Sequence, residues 1–334
     1  MILMTHNHDT CPSTTAAPVC PIFGQCGGCQ YQELTYDEEL KLKEQGLREL
    51  LKKNSFETEG CLENIIPSPQ IYHYRSRLDL RLARTRQSLL MGFSPQDGRR
   101  VVVAEHCPIA MPAISDFFPE LKQQAVAKLP AKYRNANLVV KAGDDGRVVW
   151  GGIGRKSLRL AETDYLWTTV MGKKIFYSLD TFFQANLSIL PRLVERIIDL
   201  KVFNPNASFY DLYGGVGLFG ICFYDLVRNV VLIEENIHAV AMSRYNSGYH
   251  QMERFETIAG KVEEQFLPYL ESSGDENAIA MIDPPRSGLA AGTIDVISTQ
   301  AKIKNLLYLS CNPEALVRDL SLLVKSGWHI KKVV

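Results

Sequence analysis

The 334-residue sequence predicts an α/β protein: a doubly wound, mostly parallel sheet in the second half, preceded by a β-rich region and a cysteine-bearing N-terminal segment. Three observations carry this. From about residue 187 onward, β-prone runs alternate with helical patterns, the arrangement written by strands joined through crossover helices. Between about 60 and 170, helical periodicity gives way to short alternating runs punctuated by Gly, Asp and Pro. Four of the eight cysteines crowd into the first thirty residues.

Taken in order, residues 1–19 read as a flexible lead-in. A segment over 20–58 carries the cysteines and then TYDEELKLKEQGLRELLKKN, where Thr35 and Glu38 form a capping box and Leu40, Leu47, Leu50 and Leu51 share one helical face. Residues 59–172 hold LDLRLAR, RVVVAEH, NLVVKAG and RVVWGGIG, a β-rich domain. Residues 173–334 hold a helix at 187–201, strand SFYDLY, a glycine turn and helix, strand NVVLIEE, a helix, strand AIAMIDPP, a helix, strand NLLYLSC, a helix and a final strand WHIKKVV.

Composition sets limits on function. The chain is 46% hydrophobic and 22% charged with zero formal net charge, which argues for a soluble globular protein and against an unspecific polyanion binder. No apolar run reaches the ~18 residues of a membrane span. The start, MILMTHNHDTCPSTTAAP, lacks the basic and apolar regions of a signal peptide, so a cytoplasmic location is expected.

DLYGGVGLFG (211–220) follows a strand and opens a helix, and Gly214, Gly215 and Gly217 would let the backbone approach a ligand. Glu234 lies 23 residues after Asp211, at the end of the next strand, where an acid accepts ribose hydroxyls. A solvated strand-end acid explains Glu234 equally well. A dinucleotide or an adenosine-bearing methyl donor would both suit such a site. IDPPRSGL puts Asp283 at a strand tip beside a rigid Pro-Pro, which forms either a plain strand-ending turn or a wall beside a bound base. LLYLSCNPEALVRDL puts Cys311 at the tip of another strand, a place for ligand contact or for a small buried thiol.

The knuckle Cys20-x5-Cys26-x2-Cys29 needs a fourth partner, and Cys107, followed by proline, is the candidate. In a reducing compartment such a set is expected to hold a metal rather than disulfides. Four thiolates suit zinc or an iron–sulfur cluster. Cys11, Cys61 and Cys222 read as ordinary thiols. Between Tyr72 and Arg100 stand seven arginines (75, 77, 81, 84, 86, 99, 100) against Asp79 and Asp97. Arg75 and Arg77, with Tyr72 and Tyr74 nearby, suit RNA phosphates and stacked bases better than a merely solvated face.

DLYGGVGLFG, MIDPPRSGL and LYLSCNPEALVRDL, in this order and spacing, resemble the RNA uracil-5-methyltransferase family. The resemblance extends back through DTFFQAN and YHYRSRLDLRLARTRQSLLMGF to CPIFGQCGGCQ, nearly the whole chain. It implies a Rossmann-like class I methyltransferase domain using S-adenosylmethionine, with Cys311 adding to C6 of uracil. Gln184, Tyr213, Gly215, Glu234 and Asp283 would contact the methyl donor, and the target uridine would be flipped from its stack. Arg286, at the position where RNA cytosine-5 enzymes carry a cysteine, favours uracil, and the aromatic residue of amino-directed enzymes is absent there. Lys261 departs from the polar or acidic adenine contact of related enzymes.

Similarity to the ribosomal branch implies a 4Fe–4S cluster on Cys20, Cys26, Cys29 and Cys107, and 23S rRNA as the substrate of a monomeric enzyme. Transfer RNA is the alternative substrate. The family's general base is a glutamate following a strand like WHIKKVV. On this resemblance it lies beyond Val334, so a C-terminal truncation is expected, and a catalytically disabled RNA-binding relative is a further alternative. A zinc-bearing nucleotide-binding protein is the third.

Overall fold

The computed structural model describes residues 16–57, 59–85, 88–95, 98, 100–128, 134–152 and 164–334. Cys11, Arg86, Asp97 and Arg99 lie outside the described residues. The chain divides into two compact units, one holding 16–39 and Ser68–Pro191, the other Leu40–Pro67 and Arg192–Val334.

Helix α1 (Tyr36–Lys53) begins with the expected capping box. The Thr35 N–H donates to Glu38 Oε2 at 2.8 Å, and the Glu38 N–H donates to Thr35 Oγ1 at 3.4 Å. Its apolar face buries Leu51 completely, with Leu40, Leu47 and Leu50 half-buried.

The β-rich unit is built on an antiparallel five-stranded sheet. Its strands are β1 (Arg77–Arg84), β2 (Leu89–Phe93), β3 (Val102–Val103), β4 (Asn135–Ala142) and β5 (Val148–Gly152), in the order β3-β2-β1-β4-β5. Alternation is visible in β1, where Leu78, Leu80 and Leu82 are buried between outward polar residues, as one buried sheet face requires. Two helices that the sequence pattern did not announce, α2 (Pro112–Asp116) and α3 (Phe118–Lys128), cover the buried face. Ile114, Phe118 and Leu121 complete the core with Leu80, Leu138 and Val140. Strands β6 (Leu166–Val170) and β7 (Lys173–Tyr177) form a hairpin across the domain limit expected at 172/173. Its turn residues Met171 and Gly172 both have positive φ (50° and 77°), the tight geometry that matches strand twist.

The second unit is the α/β domain. Its strands β8 (Ser208–Leu212), β9 (Asn229–Glu234), β10 (Phe255–Ala259), β11 (Ala278–Ile282) and β12 (Ile303–Tyr308) are all parallel, in the order β10-β9-β8-β11-β12. Helix α4 (Leu190–Asp199) precedes β8, α5 (Leu218–Phe223), α6 (Ile237–Tyr249), α7 (Val262–Ser272) and α8 (Ala291–Thr299) connect successive strands, and α9 (Pro313–Lys325) follows β12. Strands β8 and β11 are buried along their whole length, the two-faced burial of a sheet covered by helices. Strand β10, which the sequence pattern did not announce, is an edge strand whose FETIA is partly exposed throughout. WHIKKVV, expected as a strand, makes a single bridge, Val333 to Leu62.

The strand order reverses between β8 and β11, and their carboxyl ends are level: Ile282 is in register with Leu212 on one side and with Tyr308 on the other. Neighbouring parallel strands run ~4.8 Å apart. The loops after β8, β11 and β12 therefore leave one edge of the sheet side by side, at the switch point where open α/β sheets bind ligands.

Candidate active site and cysteine cavity

The glycine turn after β8 is held from beneath and from the side. Asp211, on β8 and 1% exposed, accepts the Gly220 N–H at 2.9 Å through Oδ2, while its buried Oδ1 has no partner. Burial pushes its carboxyl up to about 8, the Gly220 N–H holds it down, and the charges of Asp283 and Glu234 raise it further. Glu234, at the end of β9, accepts the Gly215 N–H at 3.0 Å and the Asn236 N–H at 2.7 Å, tying the turn to the β9–α6 connection. Gly214 cannot be replaced cheaply, since a Cβ would sit 2.5 Å from Leu232 Cγ and 2.9 Å from the Asp211 carbonyl oxygen. Tyr213 adopts φ 60°, a left-handed conformation of the kind stored at functional sites.

A cavity of about 230 Å³ opens at this edge, lined by Tyr213, Glu234, Lys261, Glu263, Pro285 and neighbouring backbone. The Tyr213 hydroxyl shares a 2.8 Å hydrogen bond with Thr293 Oγ1, and burial raises its pKa. Lys261 lines the cavity with an exposed side chain 3.7 Å from Glu264. Of the residues expected to contact a methyl donor, Tyr213 and Glu234 line this cavity. Gly215 and Asp283 stand on loops at the same sheet edge without lining it. Gln184 belongs to the β-rich unit, where the neighbouring Ser76 N–H donates to the Ala185 carbonyl at 2.8 Å and the buried Lys141 donates to the Ser178 carbonyl at 2.8 Å.

Cys311 is exposed, which removes the reading as a packed core thiol. Its loop is shaped by the next residue. Asn312 caps α9, accepting the Glu314 N–H at 3.1 Å with Pro313 in the first turn, the favoured start for a helix. Asn312 Nδ2 also donates to the Arg286 carbonyl at 2.9 Å, joining the Cys311 loop to the DPPRSG loop.

In the β-rich unit, Cys20, Cys26, Cys29 and Cys107 line one cavity of about 260 Å³ together with Gln32, Arg75 and His106. Cys107 is buried and the other three are half-buried. Burial pushes the Cys107 thiol up to about 11 and raises Cys26 and Cys29. N–H donors oppose this: Gly28 to Cys26, the Gln32 amide to Cys29, and Ile109 and Ala110 to Cys107. Among the described residues no three His, Cys, Asp or Glu side chains are arranged around a single metal ion. Arg75 thus faces the cysteines, its Nε donating to the Arg77 carbonyl at 3.0 Å. Arg77 pairs with Asp79 at 2.8 Å.

A parallel sheet of this order, with a glycine turn after its first strand and an acid ending the second, defines a Rossmann-like fold of the methyltransferase class. The chain belongs to the tRNA (uracil-5-)-methyltransferase family, whose model matches residues 151–333. The 23S rRNA (uracil(1939)-C(5))-methyltransferase RlmD of Aliivibrio fischeri is 25% identical over 95% of this chain and 77% of its own length. The tRNA (uracil(54)-C(5))-methyltransferase of Schizosaccharomyces pombe is 27% identical over 91% of this chain and 59% of its own. Among solved structures, the Pyrococcus abyssi tRNA (uracil-54, C5)-methyltransferase in complex with S-adenosyl-L-homocysteine shares the fold, with a TM-score of 0.67 and 21% identity over 89% of this chain and 79% of that one. No helix among the described residues is long and apolar enough to cross a membrane.

Sequence reading missed Asp211 as the support of the glycine turn, for which an aspartate inside the otherwise apolar FYDLY was the available signal.

Proposed function

We propose that this protein transfers a methyl group to C5 of a uridine in RNA, with Cys311 as the nucleophile. The observation that carries the reading is the level placement of three loops at one sheet edge: the glycine turn after β8, the Asp283 loop after β11 and the Cys311 loop after β12. An exposed thiol one strand away from an aspartate and two from a nucleotide-type glycine turn suits base chemistry beside a bound adenosyl group.

The residues present fit S-adenosylmethionine. Glu234 stands where ribose hydroxyls are accepted, and Tyr213 and Pro285 flank the cavity. Gln184, Gly215 and Asp283 complete the proposed contacts. When bound, S-adenosylmethionine supplies an electrophilic methyl group. The Cys311 thiolate adds to C6 of the flipped uracil, forming a C–S bond and moving the C5–C6 π pair toward C5 and O4. C5 would then attack the donor's methyl carbon as the methyl–sulfonium bond breaks and S-adenosylhomocysteine leaves, a base would remove the C5 proton, and the returning electron pair would expel the thiolate.

In the same proposal 23S rRNA is the substrate, supported by the names of the ribosomal relatives, with tRNA as the alternative. Arg75 and Arg77 are proposed RNA contacts, and the protein is taken as a cytoplasmic monomer with the four-part domain division given above. We assign a 4Fe–4S cluster to Cys20, Cys26, Cys29 and Cys107. Four thiols line one cavity with N–H donors aimed at three of them; four thiolates suit zinc or a cluster, and the resemblance to the ribosomal branch favours the cluster. Bound there, the cluster would cross-link the knuckle to the Cys107 segment.

Incubating the chain with S-adenosylmethionine and either 23S rRNA or tRNA transcripts, then digesting to nucleosides, should yield 5-methyluridine from the ribosomal transcript. Methylation of tRNA alone would reassign the substrate, and RNA binding without methylation of either would favour a non-catalytic binder.

A further inference from the structure

The loop after β11 is gripped by the helix that follows Cys311. Asp319, on α9, is fully buried. Its Oδ2 accepts the Leu289 N–H at 2.8 Å and the Tyr308 hydroxyl at 2.6 Å. Its Oδ1 accepts Arg318 Nε at 2.9 Å and Nη2 at 2.6 Å. Arg318 Nη2 also reaches the Ser287 carbonyl at 2.7 Å, and Asn312 holds the Arg286 carbonyl at 2.9 Å. Backbone groups at Arg286, Ser287 and Leu289 are thus held in turn by α9 or its cap. Gly288 fits between them only for want of a side chain: its φ is 80°, and a Cβ would overlap Arg318 Nη2 and approach Asp319 Oδ2 to 2.5 Å.

We propose that Arg318 and Asp319 form a latch that locks the DPPRSG loop to the Cys311 loop and so sets the distance between Asp283 and the Cys311 thiol. They are positioning residues: neither lines the cavity, and both act through the loops they join. The role follows from where the bonds end. Tyr308 lies three residues before Cys311, Asn312 one after it, and Leu289 six after Asp283, so the carboxylate of Asp319 fixes both loops from one point. An apolar residue would pack α9 as well but would leave the buried Leu289 N–H and the half-buried Tyr308 hydroxyl without this acceptor. The catalytic consequence rests on the reading of Cys311 as nucleophile, whereas the latch itself does not.

The test combines amide hydrogen exchange with trapping of 5-fluorouridine RNA in the presence of S-adenosylmethionine, on the full chain and on Asp319→Asn, Arg318→Gln and Tyr308→Phe. The proposal expects exchange over 283–290 to rise about tenfold or more in Asp319→Asn, and the trapping rate to fall about ten- to hundredfold, the scale of a misplaced catalytic group. S-adenosylhomocysteine affinity should fall by a smaller factor, because the same loop supplies Pro285, Ser287 and Leu289 to one wall of the cavity. Should Asp319→Asn not fold, Arg318→Gln and Tyr308→Phe, each removing one arm, are expected to show the same pattern more weakly. Unchanged exchange over 283–290 in folded variants overturns the latch, as does a trapping rate equal to that of the parent chain. Failure of the parent chain itself to trap RNA would count against the nucleophile assignment, and exchange would still decide whether the latch exists.

Discussion

Replacing Asp211 by Asn should change how stability depends on pH in a way few other substitutions could. The carboxyl is buried with one oxygen unpartnered, and burial, reinforced by Asp283 and Glu234, lifts it from the ordinary 3.8 to about 8. Between those values the unfolded chain has lost the proton that the folded chain keeps, so the folded state is penalised progressively as pH rises. The contribution is fully present below 3.8, falls by about 1.4 kcal/mol per pH unit through the window, and levels off above about 8. Across the whole window the difference is on the order of 6 kcal/mol, an upper figure because unfolding and local relaxation relieve buried charge. An Asn can keep its oxygen on the Gly220 N–H and put its amide where the unpartnered oxygen stood. The variant's thermal midpoint should therefore gain on the parent by roughly 3–5 °C per pH unit between pH 5 and 8, as read by differential scanning at half-unit steps. Parallel curves for the two proteins would refute the reasoning, because they would mean that Asp211 is ionised throughout or that its charge is fully compensated.

Two further predictions concern packing and the cysteines. Gly288→Ala combines a left-handed φ with overlap against Arg318 and Asp319, and should cost about 2–4 kcal/mol, measured as a lowered denaturant midpoint of the α/β unit. Cys107→Ser should leave anaerobically purified protein with less iron and sulfide and without the broad visible absorbance of a cluster, and should lower the melting temperature of the β-rich unit. Retained iron at the parent's stoichiometry would exclude Cys107 as a ligand.

Much of the fold could be read from the sequence because its signals are local. The Thr35–Glu38 capping box, the alternation of Leu78, Leu80 and Leu82, and the apolar runs of β8, β9 and β11 all state their structure within a few residues. Strand β10 escaped because an edge strand needs no continuous apolar run, and α2 and α3 escaped because prolines interrupt a short amphipathic stretch. In the candidate site, the strand-end positions of Tyr213, Glu234, Asp283 and Cys311 were legible because the turn motifs after each strand are local. Arg318 and Asp319 were not, because their meaning lies in contacts about thirty positions back along the chain, at Ser287 and Leu289. Arg75 was singled out as a cation beside aromatic residues, but only the tertiary structure places it on the cysteine cavity.

The most direct test of the central claim is to mix the purified chain with S-adenosylmethionine and 23S rRNA fragments carrying 5-fluorouridine, then denature and look for protein joined to RNA. Fluorine at C5 cannot leave as a proton does, so the reaction halts with the C6–sulfur bond intact. The expected adduct maps by peptide mass to Cys311 and disappears in Cys311→Ala. An adduct that survives that substitution, or none at all from protein with demonstrably bound methyl donor and RNA, would contradict that claim.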